Sequence, residues 1–176
     1  MVLLGALALG VLARAEEPPA REQARRCQEA PRAAAVEACR VALRLGLPPA
    51  REKALRQVLA ATLISLGRGP EAVEVYREAV AFRPDDADAR LRLGRALLLL
   101  TGDADDASAE LQAALRLSPR QAEAYGLLGT ALLSLGQLPE SAAAFTEAER
   151  LDPSYFALRP AARRSYEAAQ KGEPWP

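Results

Sequence analysis

The chain has 176 residues, 50% of them hydrophobic and 26% charged, which is enough to bury a core. Its 23 basic and 23 acidic side chains give a formal net charge of +0, which argues against a strongly basic nucleic-acid-binding protein. The sequence has no histidine, and this excludes catalytic triads, general bases and metal sites that depend on an imidazole.

Residues 1–15 have the pattern of a signal peptide. The apolar run at 2–12 is short for a bilayer span, and Ala13-Arg14-Ala15 gives the small-x-small pattern of a signal-peptidase site. We expect cleavage after Ala15, a periplasmic or secreted protein, and no stable membrane span after cleavage. Because no Lys or Arg precedes the run, two alternatives stay open: an anchor formed by the uncleaved segment, and a buried N-terminal helix.

Residues 16–52 are predicted to form a helical hairpin, or a degenerate repeat, that contains both cysteines. Cys27 and Cys39 are 12 residues apart, a separation of about 18 Å on one continuous helix, which is too far for a disulfide. Pro31 suits the first turn of a new helix, and a hairpin that turns there would bring both thiols to its inner face. A disulfide is one interpretation, and two buried free cysteines are the other.

The remaining sequence contains an internal repeat. Glycine recurs at one position and proline at another, with a spacing of 35 and then 34 residues: Gly67, Gly102 and Gly136, and Pro84, Pro119 and Pro153. These positions define units at 53–86, 87–121 and 122–155. The extra residue of the second unit lies between Gly94 and Gly102.

Each unit is predicted to be a pair of helices. In the third unit, apolar residues at 122–135 follow the three-to-four spacing of one helical face, Gly136 breaks the chain, and a second helix covers 139–151. Gly129 aligns with Gly94 and Ala60, at the point where we expect the first helix of a pair to press closest against the second. The fold class is therefore all-α.

These units resemble tetratricopeptide repeats, and the third unit carries the resemblance most closely. It has the large residue, the Leu-Gly pair, the aromatic residue, the alanine and the proline of that pattern: Tyr125, Leu128-Gly129, Leu132, Phe145, Ala148 and Pro153. It departs from the pattern at Ser141, where alanine is usual. The resemblance implies a superhelical solenoid of antiparallel helix pairs, closed by a capping helix at 156–171 and followed by a tail at 172–176.

We predict no enzyme, no cofactor and no metal site. The strongest acidic cluster begins at Asp103, but an EF-hand loop counted from there would need glycine and glutamate where the chain has Ser108 and Ala114. Helix capping explains these aspartates.

The resemblance also implies that the first helix of each repeat lines a concave groove. The residues predicted to face the groove are Val58, Ala61, Ile64, Arg92, Arg95, Leu98, Leu99, Leu127, Thr130 and Leu133. Arg92 and Arg95 are three residues apart and can hold a carboxylate of an extended or helical peptide; alternatively they are solvated and paired with acids such as Asp88. The family's carboxylate clamp uses lysine and asparagine, and because this sequence has no asparagine its specificity is not transferred.

The predicted function is that of a protein–protein interaction module or scaffold in the cell envelope, which binds a protein or peptide rather than nucleic acid. The alternative is a structural protein that self-associates and leaves the groove unused.

Overall fold

The computed structural model describes residues 19–172, and this part of the chain is all-α, with nine α-helices and no strand. The chain divides into two compact units, residues 1–68 and 69–176. The predicted signal peptide and residues 173–176 of the predicted tail lie outside the described residues. None of the helices between residues 19 and 172 is both long and apolar enough to span a bilayer.

The first unit contains three helices: α1 (Pro19–Glu29), α2 (Arg32–Arg44) and α3 (Pro49–Ser65). Proline stands at or just before the start of each, where its missing N–H leaves no hydrogen bond unmade and its fixed φ suits the helix. α2 packs against both α1 and α3.

A disulfide joins Cys27 of α1 to Cys39 of α2, and the two Cα atoms are 4.7 Å apart. Both side chains are almost fully buried. Ala20 is the only other buried residue of α1. The disulfide therefore adds a covalent link to a helix pair in which α1 buries only two side chains.

The second unit contains six α-helices and one π-helical turn: α4 (Gly69–Phe82), α5 (Ala87–Ala96), the π turn (Leu97–Thr101), α6 (Ala104–Leu117), α7 (Ala122–Ser134), α8 (Leu138–Leu151) and α9 (Pro160–Lys171). α5 pairs with α6, and α7 with α8, through short connections. These pairs occupy the predicted repeats 87–121 and 122–155. Of the repeat predicted at 53–86, α3 belongs to the first unit and α4 to the second.

Glycines on α5 and α7 lie where each helix approaches its partner most closely. A Cβ atom at Gly129 would lie 2.9 Å from ring atoms of Phe145 on α8, and one at Gly94 would lie 2.7 Å from Cγ of Leu111 on α6. Real Cβ atoms essentially never come this close. The predicted role of these glycines in helix packing is therefore confirmed.

The π turn accommodates the extra residue of the second repeat. After the end of α7, Gly136 has φ +74°, and its N–H donates to the carbonyl of Leu133. The N–H of the next residue, Gln137, donates to the carbonyl of Leu132, five residues back. After the π turn, the N–H of Asp103 reaches six residues back to the carbonyl of Leu97, at 3.1 Å. Because a π turn inserts one residue within a single helical turn, the pairing of α5 with α6 is kept.

α9 covers an aromatic cluster at the end of the second unit. Phe145, Tyr155 and Phe156 are buried, and the Tyr166 ring on α9 stacks on Phe156 with centroids 5.1 Å apart. α9 packs on both α7 and α8, and it lies within the segment 156–171 that was predicted as a capping helix.

Candidate functional site

Arg92 and Arg95 lie on the outward side of α5. The helix begins where the Asp86 side chain accepts a hydrogen bond from the N–H of Ala89, at 3.1 Å. Its Leu93 and Gly94 face inward and are buried. The helical period then directs Arg92 and Arg95 away from α6, half-buried and exposed respectively.

Both arginines form exposed ion pairs. Nε of Arg92 lies 3.1 Å from Oδ2 of Asp88, one turn earlier on α5, and Arg95 pairs with Glu123 of α7. The four side chains retain between 33% and 46% of their exposure. Ion pairs this exposed contribute about 0–1 kcal/mol, so another carboxylate can displace either acid at little cost.

The positive charge of Arg95 acts on the pKa of two tyrosines. Burial raises the pKa of Tyr76, on α4, above its ordinary value of 10.0, and the charges of Arg92 and Arg95 oppose this shift. Burial likewise raises the pKa of Tyr155, between α8 and α9, against the opposing charges of Arg159 and Arg95. Arg95 therefore lies within electrostatic reach of both phenols, which stay neutral at pH 7 and can donate a hydrogen bond.

The buried Tyr155 takes its position because residue 126 is glycine. A Cβ atom on Gly126 would overlap the Tyr155 hydroxyl. On the ring, the guanidinium carbon of Arg159 lies 4.6 Å from the centroid, a cation–π arrangement. Sequence reasoning missed this contact, because the second repeat has Leu91 at the matching position and Gly126 therefore does not belong to the repeat pattern.

Besides Leu133, the second unit contains four uncharged groove candidates, and these four differ in exposure. Leu99 projects from the π turn and is 64% exposed. Leu98 and Leu127 are half-buried and pack against the core. Thr130 is half-buried, and its hydroxyl donates to the carbonyl of Gly126 at 3.0 Å.

Leu133 does not belong to the candidate groove. The sequence placed it on the outward side of α7, but it is only 1% exposed. α7 packs against α5, α6, α8 and α9, so its neighbours cover more of its circumference than a single-sided helical pattern assumes.

The remaining three candidates lie on α3, in the first unit. Val58 is half-buried, whereas Ala61 and Ile64 are exposed. The site that the structure supports is the face of the second unit around Arg92 and Arg95, called the arginine face below. It includes Tyr76, Leu127 and Thr130.

Among residues 19–172, no group of three or more His, Cys, Asp or Glu side chains is arranged to hold a metal ion. The chemistry available on the arginine face is charge pairing and hydrogen bonding.

Family models described as "Tetratricopeptide repeat" and "TPR repeat" match residues 99–156 and 62–100 of this chain. No curated protein matches the chain by sequence.

Solved structures with this fold cover most of the chain. MamA 41-end from Desulfovibrio magneticus RS-1 is 24% identical with a TM-score of 0.66, covering 90% of this chain and 93% of its own. The second TPR domain of human RPAP3, solved with an HSP70 peptide, is 20% identical with a TM-score of 0.61, covering 70% and 98%. The Yersinia enterocolitica type III secretion chaperone SycD, solved with a peptide of the translocator YopD, is 19% identical with a TM-score of 0.58, covering 66% and 90%.

Proposed function

This chain belongs to the tetratricopeptide repeat family, and from that premise we propose that it is a protein–protein interaction module whose arginine face binds an acidic peptide segment of a partner. The observation that carries the proposal is the placement of Arg92 and Arg95 in exposed, exchangeable ion pairs. A carboxylate of a partner can replace Asp88 or Glu123 without leaving a charge buried and unpaired.

Surrounding groups on the arginine face support a peptide rather than a single ion. The half-buried Tyr76 supplies a neutral hydroxyl donor within electrostatic reach of Arg92 and Arg95, and Leu127 supplies apolar surface. Peptide recognition commonly combines such charge-assisted hydrogen bonds with apolar contacts for alternate side chains.

Two of the similar structures, RPAP3 and SycD, were solved with peptides bound. The RPAP3 ligand, SGPTIEEVD, is acidic. These ligands are those proteins' own, and they support a peptide-binding role for this chain without identifying its partner.

The test is an array of acidic peptides and their amide-substituted counterparts, probed with the full chain. We expect acidic peptides to be retained, and the double variant R92A/R95A to bind them at least about 10-fold more weakly, since a hydrogen bond to a charged group contributes ~1.5–3 kcal/mol. The matched control is R77A/R150A, which removes two other exposed, ion-paired arginines. Equal binding by both double variants would contradict the proposal.

A second variant tests the exchange of carboxylates directly. Replacing Glu123 by Gln removes the acid that pairs with Arg95 while keeping its shape, so acidic peptides should bind more tightly to E123Q than to the wild type. Weaker binding would mean that Glu123 itself contacts the peptide.

We propose further that the module acts outside the cytoplasm, in the cell envelope. The support is the signal-peptide pattern at 1–15, together with the Cys27–Cys39 disulfide, a bond that persists in oxidising compartments. Fractionation of the native host with intact-mass measurement tests the location; a cytoplasmic, reduced chain beginning at Met1 would reject it.

A further inference from the structure

The two units differ strongly in charge. Residues 19–68 contain ten Lys or Arg and four Asp or Glu, a net charge of +6, whereas residues 69–172 contain twelve and sixteen, a net charge of −4. The near-neutral total of the whole chain conceals this difference. A charge imbalance of this size within a chain marks the basic part as a surface for an anionic partner.

Part of the positive charge of the first unit lies on three exposed arginines, called the stripe below. Arg21 and Arg25 are one turn apart on α1, on a side that the buried Ala20 and Cys27 do not occupy, and Arg32 stands in the first turn of α2. All three are exposed. None of them has an ion-pair or hydrogen-bond partner among residues 19–172.

Acids do not neutralise this stripe. Glu22 is paired with Arg26, at 2.7 Å. Glu29 is the exposed acid at the end of α1, so one acidic charge accompanies three unpaired arginines.

The sequence brings this stripe close to a membrane. Only residues 13–18 separate the apolar run at 2–12 from Pro19, the first residue of α1. Seven residue steps span at most about 25 Å. Insertion of the run would hold the stripe near the lipid headgroups until cleavage, or permanently if the run stays uncleaved as an anchor.

We propose that Arg21, Arg25 and Arg32 bind anionic phospholipid headgroups, so that the first unit lies against a membrane surface. A basic surface adds about 1 kcal/mol of membrane affinity per Lys or Arg near anionic lipid, and stable binding takes such a second signal besides one apolar segment. The proposal is independent of the peptide site, which lies in the second unit.

The test measures partition of the full chain, its N-terminus verified by intact mass, onto two kinds of vesicle. Vesicles of phosphatidylcholine report the contribution of the apolar run, and vesicles that also contain phosphatidylglycerol add the electrostatic contribution. We expect up to about 100-fold stronger partition onto the anionic vesicles at low salt, and loss of this preference at high salt.

Two triple variants distinguish the effect of the stripe on partition from the effect of positive charge elsewhere in the chain. R21Q/R25Q/R32Q should partition equally onto both kinds of vesicle, whereas the control R116Q/R120Q/R164Q, which removes three exposed arginines of the second unit, should keep the preference. An unchanged preference in R21Q/R25Q/R32Q would overturn the proposal, and so would its loss in the control. It would also be overturned by a wild-type chain that prefers neither vesicle and instead binds duplex DNA or self-associates at low salt.

Discussion

The hydroxyl of Ser141 on α8 donates a fully buried hydrogen bond of 2.7 Å to the carbonyl oxygen of Gly129 on α7. The two residues occupy the closest approach of the helix pair, and Ser141 stands where alanine is usual in a tetratricopeptide repeat. Serine at this position therefore has a structural role. Its hydroxyl joins α8 to the backbone of α7 at the point where Gly129 lets the two helices approach.

Replacing Ser141 by Ala should lower the free energy of unfolding by about 1 kcal/mol, because one buried hydrogen bond is lost. The carbonyl of Gly129 keeps its place in the helix, so no larger penalty is expected. Urea unfolding measures the change. The control is T146A, which removes an exposed hydroxyl from the same helix and should change stability less; an equal loss would contradict the importance of burial at Ser141.

Replacing Gly129 by Ala should lower the free energy of unfolding by about 1–2 kcal/mol. The added Cβ meets the Phe145 ring, and overpacking costs ~1–3 kcal/mol; the better helix propensity of alanine returns at most ~1 kcal/mol. A double-mutant cycle with F145A provides the check, since the two changes should be less than additive if the ring is what the Cβ meets.

Deleting one residue of the π turn should be tolerated. Residues 97–100 are all leucine, so removing any one of them gives the same chain, with the 34-residue spacing of the third repeat. We expect the free energy of unfolding to change by less than about 1 kcal/mol, because the turn reverts to an ordinary α-helical end.

The matched deletion in α7 should behave differently. Removing Leu132 or Leu133 takes one residue from a helix end that has no π turn, and it rotates the rest of the helix by about 100°. This variant should lose more than about 3 kcal/mol or fail to fold. Equal losses in the two deletions would show that the π turn does not hold the extra residue.

Reducing the Cys27–Cys39 bond should release α1 before the rest of the protein unfolds. A disulfide contributes ~2–4 kcal/mol, and α1 buries little else. Trypsin should then cleave after Arg25 and Arg26 at least about 10-fold faster in the reduced chain or in C27S/C39S, while cleavage after Arg150 of α8 keeps its rate. Mass spectrometry of the first fragments decides; equal cleavage of oxidised and reduced α1 would reject this assignment.

Alkaline pH should destabilise the second unit. The folded pKa values of Tyr76 and Tyr155 are raised above 10.0 by burial, so their contribution to stability is complete below pH 10 and is lost as pH rises through that value and beyond. Phenolate absorbance should show two tyrosines ionising above pH 10, and Y76F should remove one of them. Ionisation of Tyr76 and Tyr155 at pH 10 itself would contradict the burial of these two.

Much of the fold was predictable because its signals are local or periodic. Gly129 and Gly136, only seven residues apart, could be assigned different roles from their repeat positions alone. The closing helix was predicted at 156–171, and the structure has it at Pro160–Lys171. Capping by Asp103, whose side chain accepts a hydrogen bond from the N–H of Asp106, likewise needs only its neighbours.

The site was less predictable because it depends on contacts between distant residues. Arg95 meets Glu123 across two helices, and the Tyr155 hydroxyl fits over Gly126 without any repeat counterpart. The prediction for Leu133 was wrong because its burial depends on how many helices surround α7. The hydrophobic periodicity of α7 alone gives no information on that number.

In an oxidising compartment, the Cys27–Cys39 bond would also affect the order in which the two units fold. Its two ends are 12 residues apart, so a chain that emerges N-terminus first into an oxidising compartment can close this bond before any residue of the second unit is exposed to fold. The first hairpin would then be covalently fixed before the repeats fold. Disulfide exchange with another cysteine of the same chain would not occur, since the sequence has only 2 cysteines.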